Sequence, residues 1–255
     1  MKWSNWIRKQ VYSWSVFVLP NLLSKKRTCT LCLERHQGKH FICCQCEQSL
    51  PKVGHHCLKC AIPLICTTPL ICATPSIKDK YCGQCLSQQP TFDDAYCNFI
   101  YAAPIDRWLQ QLKSKRKTQW AKKLASLMLL NPPANLDHID AFTCVPSARK
   151  HLIQRGFNPA ELIAQELSRK LNKPIIDNLT TRSHNQEQKN LNRRERINNV
   201  KHHFHRTQKS LNGEHIMLID DVMTTGSTAE SISRLLKQAG ASQVSIWCLA
   251  RTPKH

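Results

Sequence analysis

At 255 residues the chain is long enough for one sizeable core, or for a core of about 150 residues plus a smaller appended module. An apolar fraction of 41% is ordinary for a globular protein and excludes disorder as the source of the charge. That charge is +20, from 37 Lys and Arg against 17 Asp and Glu, and it attracts polyanions such as nucleic acid, phosphorylated metabolites or anionic lipid, a merely basic protein being the bland alternative.

No stretch approaches the roughly 18 consecutive apolar residues of a spanning helix. In the first segment, residues 1–28, the apolar positions are broken by Ser4, Asn5, Arg8, Lys9 and Ser13, which argues against a secretory signal and for a cytoplasmic location. Trp3, Ile7, Val11, Trp14 and Val18 recur at helical spacing, and no acidic residue precedes Glu34. A basic amphipathic helix is expected here. Its stripe either covers the protein's own core or lies peripherally against the inner face of the membrane or a partner.

Residues 29–90 form a cysteine-rich module. Of the 14 cysteines, 8 fall into four C-x-x-C pairs: Cys29 with Cys32, Cys43 with Cys46, Cys57 with Cys60, and Cys82 with Cys85. Each such turn points two thiolates at one centre, and two turns complete a tetrahedral thiolate site, so four turns suffice for two structural Zn2+ ions. Pairing by proximity joins the first turn with the second and the third with the fourth, giving two consecutive zinc ribbons; a crossed pairing is the other arrangement. Disulfides fit a reducing compartment poorly, and a redox C-x-x-C normally stands alone on a thioredoxin-like unit. Cys66 and Cys72 lie in a tandem near-repeat, PLICTT then PLICAT over residues 63–74, and are weak ligand candidates. Cys44, Cys97, Cys144 and Cys248 read as buried small hydrophobes.

From residue 91 to 255 strand-like and helix-like segments alternate, the pattern of an α/β domain. Strands are expected over Ala95 to Tyr101, Ile139 to Val145, His215 to Ile219 and Val244 to Ala250. Helices are expected over Ile105 to Lys113, Trp120 to Leu130, Ala160 to Leu171 and Thr228 to Ala239, the last stopped by Gly240.

The informative stretch runs from His215 to Thr228: an apolar strand, the carboxylates Asp220 and Asp221, a small hydroxyl-rich turn, then a helix. Ligands of open α/β sheets bind outside the carboxyl ends of strands. A helix N-terminus offers unpaired N–H groups and partial positive charge, and Gly226 lets backbone approach an anion. Thr224, Thr225, Ser227 and Thr228 add hydroxyl donors. A phosphate turn beside two carboxylates suits a ligand with a phosphate and either a diol or a coordinated Mg2+, and phosphorylated ribose meets these conditions. The competing reading makes the carboxylates mere helix caps. There is no Walker-type lysine motif and no G-x-G-x-x-G.

These residues resemble the ribose-phosphate signature of type I phosphoribosyltransferases, and the chain from about Pro20 to Arg251 resembles the ComF family, which includes ComFC and GntX-like members. The shared markers, in order, are the C-x-x-C pairs, Phe92-Asp93, Leu112-Lys113, Val145-Pro146, Arg155-Gly156-Phe157-Asn158, Gln188 with Leu191, Arg196 with Asn199 and Phe204, Leu218 to Thr228, and Leu249-Ala250-Arg251. The resemblance implies a type I phosphoribosyltransferase-like open sheet flanked by helices, preceded by a double zinc ribbon. It implies phosphoribosyl diphosphate with Mg2+ as ligand, Asp220 and Asp221 at the ribose hydroxyls or the metal, and Thr224, Thr225, Gly226, Ser227 and Thr228 at the 5-phosphate. Val145 to Arg149 would lie near the diphosphate, with Arg149, Arg155, Arg182 and Arg196 as cationic diphosphate or hood candidates. Ala61, Cys144, Pro159, Asn185, His202, His203 and Ser227 depart from the family pattern, but none removes a carboxylate or the phosphate turn.

The family role is competence, in which incoming single-stranded DNA is helped into the cytoplasm, and DNA-uptake proteins are the implied partners. Between Arg182 and Lys209 lie eight Lys and Arg against Glu187 and Glu195, a stretch suited to a nucleic-acid backbone or, alternatively, a solvated basic face. Three functions fit: a ligand-binding DNA-uptake factor, favoured here; a phosphoribosyltransferase in which a nitrogen nucleophile displaces diphosphate; and a zinc-dependent interaction module. No residue identifies itself as a catalytic base.

Overall fold

The computed structural model describes residues 26–64, 80–177, 180–182, 204–206 and 210–253. It divides into two compact units, Met1–Cys46 and Glu47–His255. The predicted N-terminal amphipathic helix, the near-repeat with Cys66 and Cys72, and most of the basic stretch around Arg196 lie outside the described residues.

In the first unit a short hairpin, β1 (Arg27–Thr28) and β2 (Arg35–His36), is antiparallel with Arg27 opposite His36. Its connecting loop is closed by Cys29 N–H to Glu34 O at 2.9 Å and Leu33 N–H to Cys29 O at 3.0 Å. Helix α1 (Cys44–Gln48) follows and runs from the last residues of the first unit into the first residues of the second.

The second unit is built on a parallel sheet ordered β3-β8-β7-β4, comprising β3 (Asp94–Ile100), β8 (Gln243–Arg251), β7 (His215–Met223) and β4 (Ala141–Cys144). β7 and β8 are central and almost wholly buried, as continuous apolar runs in a parallel sheet should be. Both edges are covered. Pro51 to Val53 run antiparallel along β3, with Ile100 N–H on Pro51 O at 2.7 Å, and Pro174 to Ile176 run beside β4, with Phe142 N–H on Pro174 O at 2.8 Å. Such covering denies the exposed ladder to other chains.

Among the described residues the α/β domain also carries helices α3 (Ile105–Lys113), α4 (Gln119–Met128), α5 (Arg149–Arg155), α6 (Pro159–Leu171) and α7 (Ser227–Gln238), and a short α2 (Gly83–Ser87) precedes the sheet. Strand alternation sorts the core. Ile216, Leu218, Val244 and Ile246 join Ala229, Ile232 and Leu236 of α7 in one cluster. On the opposite face Trp247 Nε1 donates to Asn98 Oδ1 at 2.9 Å, and Asn98 Nδ2 donates to Met128 O at 2.9 Å at the end of α4. On α3, Ile105, Trp108, Leu109 and Leu112 bury a single stripe, each large apolar side chain contributing about 1.5–3 kcal/mol of transfer free energy.

The strands and helices expected between Ala95 and Ala250 are all present, with ends shifted by up to four residues. The largest shift is in β7, which continues through both aspartates to Met223, because its ladder with β8 runs on to Met223 opposite Arg251. Helix α5 and a hairpin of β5 (Thr180–Arg182) with β6 (Phe204–Arg206) are additions to the expected set.

Candidate functional site

Because β7 runs through the acidic pair, its two carboxylates face opposite sides of the sheet. Asp221 shares the parity of Met217 and Ile219, and both its oxygens meet Lys113 Nζ at 2.8 Å from the last turn of α3. Asp220 shares the parity of Leu218 and faces the turn that follows. A hollow of about 30 Å³ there is lined by Asp220, Val222, Met223, Thr224, Thr225, Gly226, Thr228 and Ala229. Burial and the neighbouring charge of Asp221 push the Asp220 carboxyl up to about 8, against the opposing effects of the Asp221 N–H at 2.8 Å and the Lys113 charge.

The turn is held by its own hydroxyls. Thr225 Oγ1 lies 2.8 Å from Ser227 Oγ and accepts from Ser227 N–H at 3.3 Å. Gly226 is the N-cap of α7 with φ of 81°, a left-handed conformation, and a Cβ there would sit 2.8 Å from Met223 Cε. The capping alternative fails for the carboxylates: the N-cap is Gly226, Asp220 accepts from Asp221 N–H, and Asp221 is held by Lys113. The first helical bond is Glu230 N–H to Gly226 O at 2.9 Å, so the Thr228 and Ala229 N–H groups precede the ladder at the rim of the hollow. Ser227 lines a different and larger cavity, of about 240 Å³, which does not reach the carboxylates.

Asn158 anchors the segment after β4. It is buried, caps α6 by accepting from Ala160 N–H at 3.2 Å, accepts from Ser147 Oγ at 2.9 Å, and donates to Val145 O at 2.9 Å. Asn-Pro at the entry to an apolar-periodic helix is the sequence signal for this cap. Arg149 and Arg155 lie on α5, which buries none of its residues, and neither bonds the carboxylates or the turn among the described residues. Arg182 stands opposite Phe204 in the β5–β6 ladder, and Arg196 lies outside the described residues. Lys113, Asn158 and Arg251 are ordered markers in the sequence whose roles no motif reveals.

The eight C-x-x-C thiols assemble as two quartets. Cys29, Cys32, Cys43 and Cys46 have all Sγ atoms within 4.8 Å of one another, and so do Cys57, Cys60, Cys82 and Cys85, which is the adjacent pairing. No described cysteine is in a disulfide. Leu31 and Cys43 donate N–H bonds to Cys29 Sγ at 3.5 and 3.3 Å. Burial raises the Cys29 thiol, but N–H groups of Cys32, Cys43 and Leu31 outweigh it and bring the group down to about 6. A bond from Cys60, followed by burial acting in the opposite direction and by further N–H donors, sets Cys57 at about 4. Burial first and crowding thiols second push Cys46 up to about 12, and burial brings Cys85 up to about 12 against an opposing bond with Cys60. Thiols this close resist joint ionisation, and a dication relieves that conflict, so both quartets fit tetrahedral Zn2+ with no position left open for chemistry.

Of the remaining cysteines, Cys248 is buried and Cys97 and Cys144 are half-buried. Cys44 is exposed, a correction to its expected burial: it opens α1, whose one buried residue is Cys46.

The family model for the phosphoribosyl transferase domain matches residues 154–255. The DNA utilization protein YhgH of Escherichia coli (strain K12) is 32% identical over 91% of this chain and 100% of its own length. Competence protein F of Haemophilus influenzae is 30% identical over 85% of this chain and 93% of its own. Among solved structures, a purine phosphoribosyltransferase from Pyrococcus horikoshii Ot3 matches 55% of this chain and 73% of its own, at 22% identity and a TM-score of 0.30. With a relative this similar along nearly its whole length, a phosphoribosyl transferase domain and two zinc-compatible quartets, the chain belongs to the ComF family.

Proposed function

We propose that the protein binds phosphoribosyl diphosphate at the end of β7 and serves DNA uptake in natural transformation, in the cytoplasm. The observation that carries the reading is one hollow in which the Asp220 carboxylate faces the Thr224–Thr228 turn and the N-terminus of α7. The N–H groups and hydroxyls suit a terminal phosphate, while carboxylate and hydroxyl oxygens suit ribose hydroxyls or an accompanying Mg2+. A hollow this small seats one end of the ligand, so the diphosphate falls to the Val145–Arg149 segment, with Arg155, Arg182 and Arg196 as cationic supports. Asp221, held by Lys113, lies on the other face and would act on the ligand through the site's charge.

The two quartets hold structural Zn2+ in this reading. The competence and DNA-utilization names of the relatives, together with a net charge of +20, support single-stranded DNA as partner. Contact of residues 1–28 with the inner face of the membrane and with DNA-uptake proteins belongs to the same reading; among the described residues no helix is long and apolar enough to cross a membrane.

Calorimetric titration of the zinc-loaded protein with phosphoribosyl diphosphate and Mg2+ tests the proposal. Saturable binding is expected, and a folded Asp220→Asn, Asp221→Asn variant should lose it. No binding by folded, zinc-loaded wild type would overturn the reading.

A further inference from the structure

Arg251 ends β8 with 2% of its surface exposed, yet no carboxylate pairs with it among the described residues. Its donors go to main-chain carbonyls. Nε donates to Cys60 O at 3.0 Å, and Nη1 donates to Met223 O at 2.9 Å, to Thr224 O, and to Thr252 O at 3.2 Å. Cys60 belongs to the second cysteine quartet, whereas Met223 and Thr224 lead into the phosphate turn. A cavity of about 240 Å³ opens between these elements, with Cys60, Cys85, Thr225, Ser227 and Arg251 in its wall. One planar guanidinium thus spans from the metal knuckle to the turn, in a fork that fixes both ends at once.

The charge balance points the same way. A buried cation without a partner is costly. Four thiolates around Zn2+ carry about two net negative charges, and such a site beside Arg251 supplies the counter-charge that the described carboxylates do not.

We infer that Arg251 is a positioning residue coupling the second metal site to the phosphate turn, so that metal at Cys57, Cys60, Cys82 and Cys85 sets the order of the turn and its affinity for a phosphorylated ligand. Metal fixes the knuckle and with it the Cys60 carbonyl; the guanidinium seated there holds the Met223 and Thr224 carbonyls, which orients the amides that follow. The affinity part rests on the proposed phosphate site, whereas the effect on turn order does not. Such coupling is reciprocal: phosphorylated ligand must tighten the metal by the same factor that metal tightens the ligand.

The experiment is a cycle on the full chain: wild type and Arg251→Lys, each with the second site intact or removed by Cys82→Ser, Cys85→Ser. Amide hydrogen exchange over residues 224–228 is read without ligand, and phosphoribosyl diphosphate affinity by calorimetry. In the wild-type background, loss of the second metal should speed exchange and weaken binding about tenfold, and in the Arg251→Lys background it should change either by no more than about twofold. An equal effect in both backgrounds, or none on the turn, would overturn the coupling. If wild type does not bind the ligand, the phosphate reading fails and the exchange measurement still decides the coupling. Should the double cysteine variant not fold, exchange over 224–228 in chelator-stripped wild type and Arg251→Lys completes the same cycle.

Discussion

Asp220 and Asp221 are neighbours in sequence but differ in partner and in charge balance. Lys113 compensates Asp221, whereas Asp220 faces the hollow with its carboxyl pushed up to about 8, first by burial and then by Asp221. The unfolded carboxyl titrates near 3.9. The folded state therefore keeps a proton that the unfolded state releases; the stability this contributes is complete below the unfolded value and is lost as pH rises through the folded one. Asp220→Asn, neutral throughout, should accordingly be more stable than wild type in Mg2+-free buffer, by a margin that widens from acidic to mildly alkaline pH toward a few kcal/mol. Thermal melts across that range check it, and a margin that narrows with rising pH contradicts it. Gly240 is a second single-residue case. At φ of 107° it ends the turn after α7, and a Cβ there would sit 2.1 Å from Leu211 O. Strain and a backbone clash together should make Gly240→Ala destabilising by on the order of 3 kcal/mol in urea unfolding.

At the scale of elements, legibility followed periodicity. Helix α3 can be read to its end residues because Ile105, Trp108, Leu109 and Leu112 form one stripe. The end of β7 cannot, because carboxylates are poor strand residues and only pairing with β8 carries the ladder past them. Helix α5, RKHLIQR, buries nothing and so leaves no apolar pattern to find, and three-residue strands such as β5 and β6 are too short for a period of two. The markers Phe92-Asp93 and Leu112-Lys113 are legible as a pattern but silent as to role. Asp93 takes the Val244 N–H at 2.7 Å and Lys237 at 2.8 Å, locking the start of β3 to β8, while Lys113 ties α3 to β7. The latter tie is testable. Lys113→Met leaves Asp221 charged and largely buried, and with Lys113 itself about a quarter exposed, side-chain value 27%, the loss should be roughly 1–3 kcal/mol. Adding Asp221→Asn removes the stranded charge and should recover most of that loss, a coupling that a double-mutant cycle by urea unfolding reads directly.

Across the whole molecule 37 cations stand against 17 acids, a net charge of +20 that one-to-one ion pairs such as Lys113 with Asp221 leave unchanged. Stability gains nothing from such an excess, because like charges repel in the compact state. A polyanionic partner turns the same excess into affinity by displacing the counterions condensed on its phosphates. Arg193, Arg194, Arg196 and Lys201 are the densest cations of the stretch between Arg182 and Lys209. If that stretch tracks a single strand, affinity for an oligonucleotide should fall linearly with salt on logarithmic axes, by about 0.7 in slope for each phosphate neutralised. Replacing those four residues with Gln should then flatten the slope by roughly 3 and weaken binding most at low salt. Fluorescence anisotropy at several salt concentrations measures both. A slope unchanged by the substitutions would move the DNA contact elsewhere on the protein, and a slope near zero in wild type would remove nucleic acid from the proposed function while leaving the phosphate turn to be judged by its own ligand.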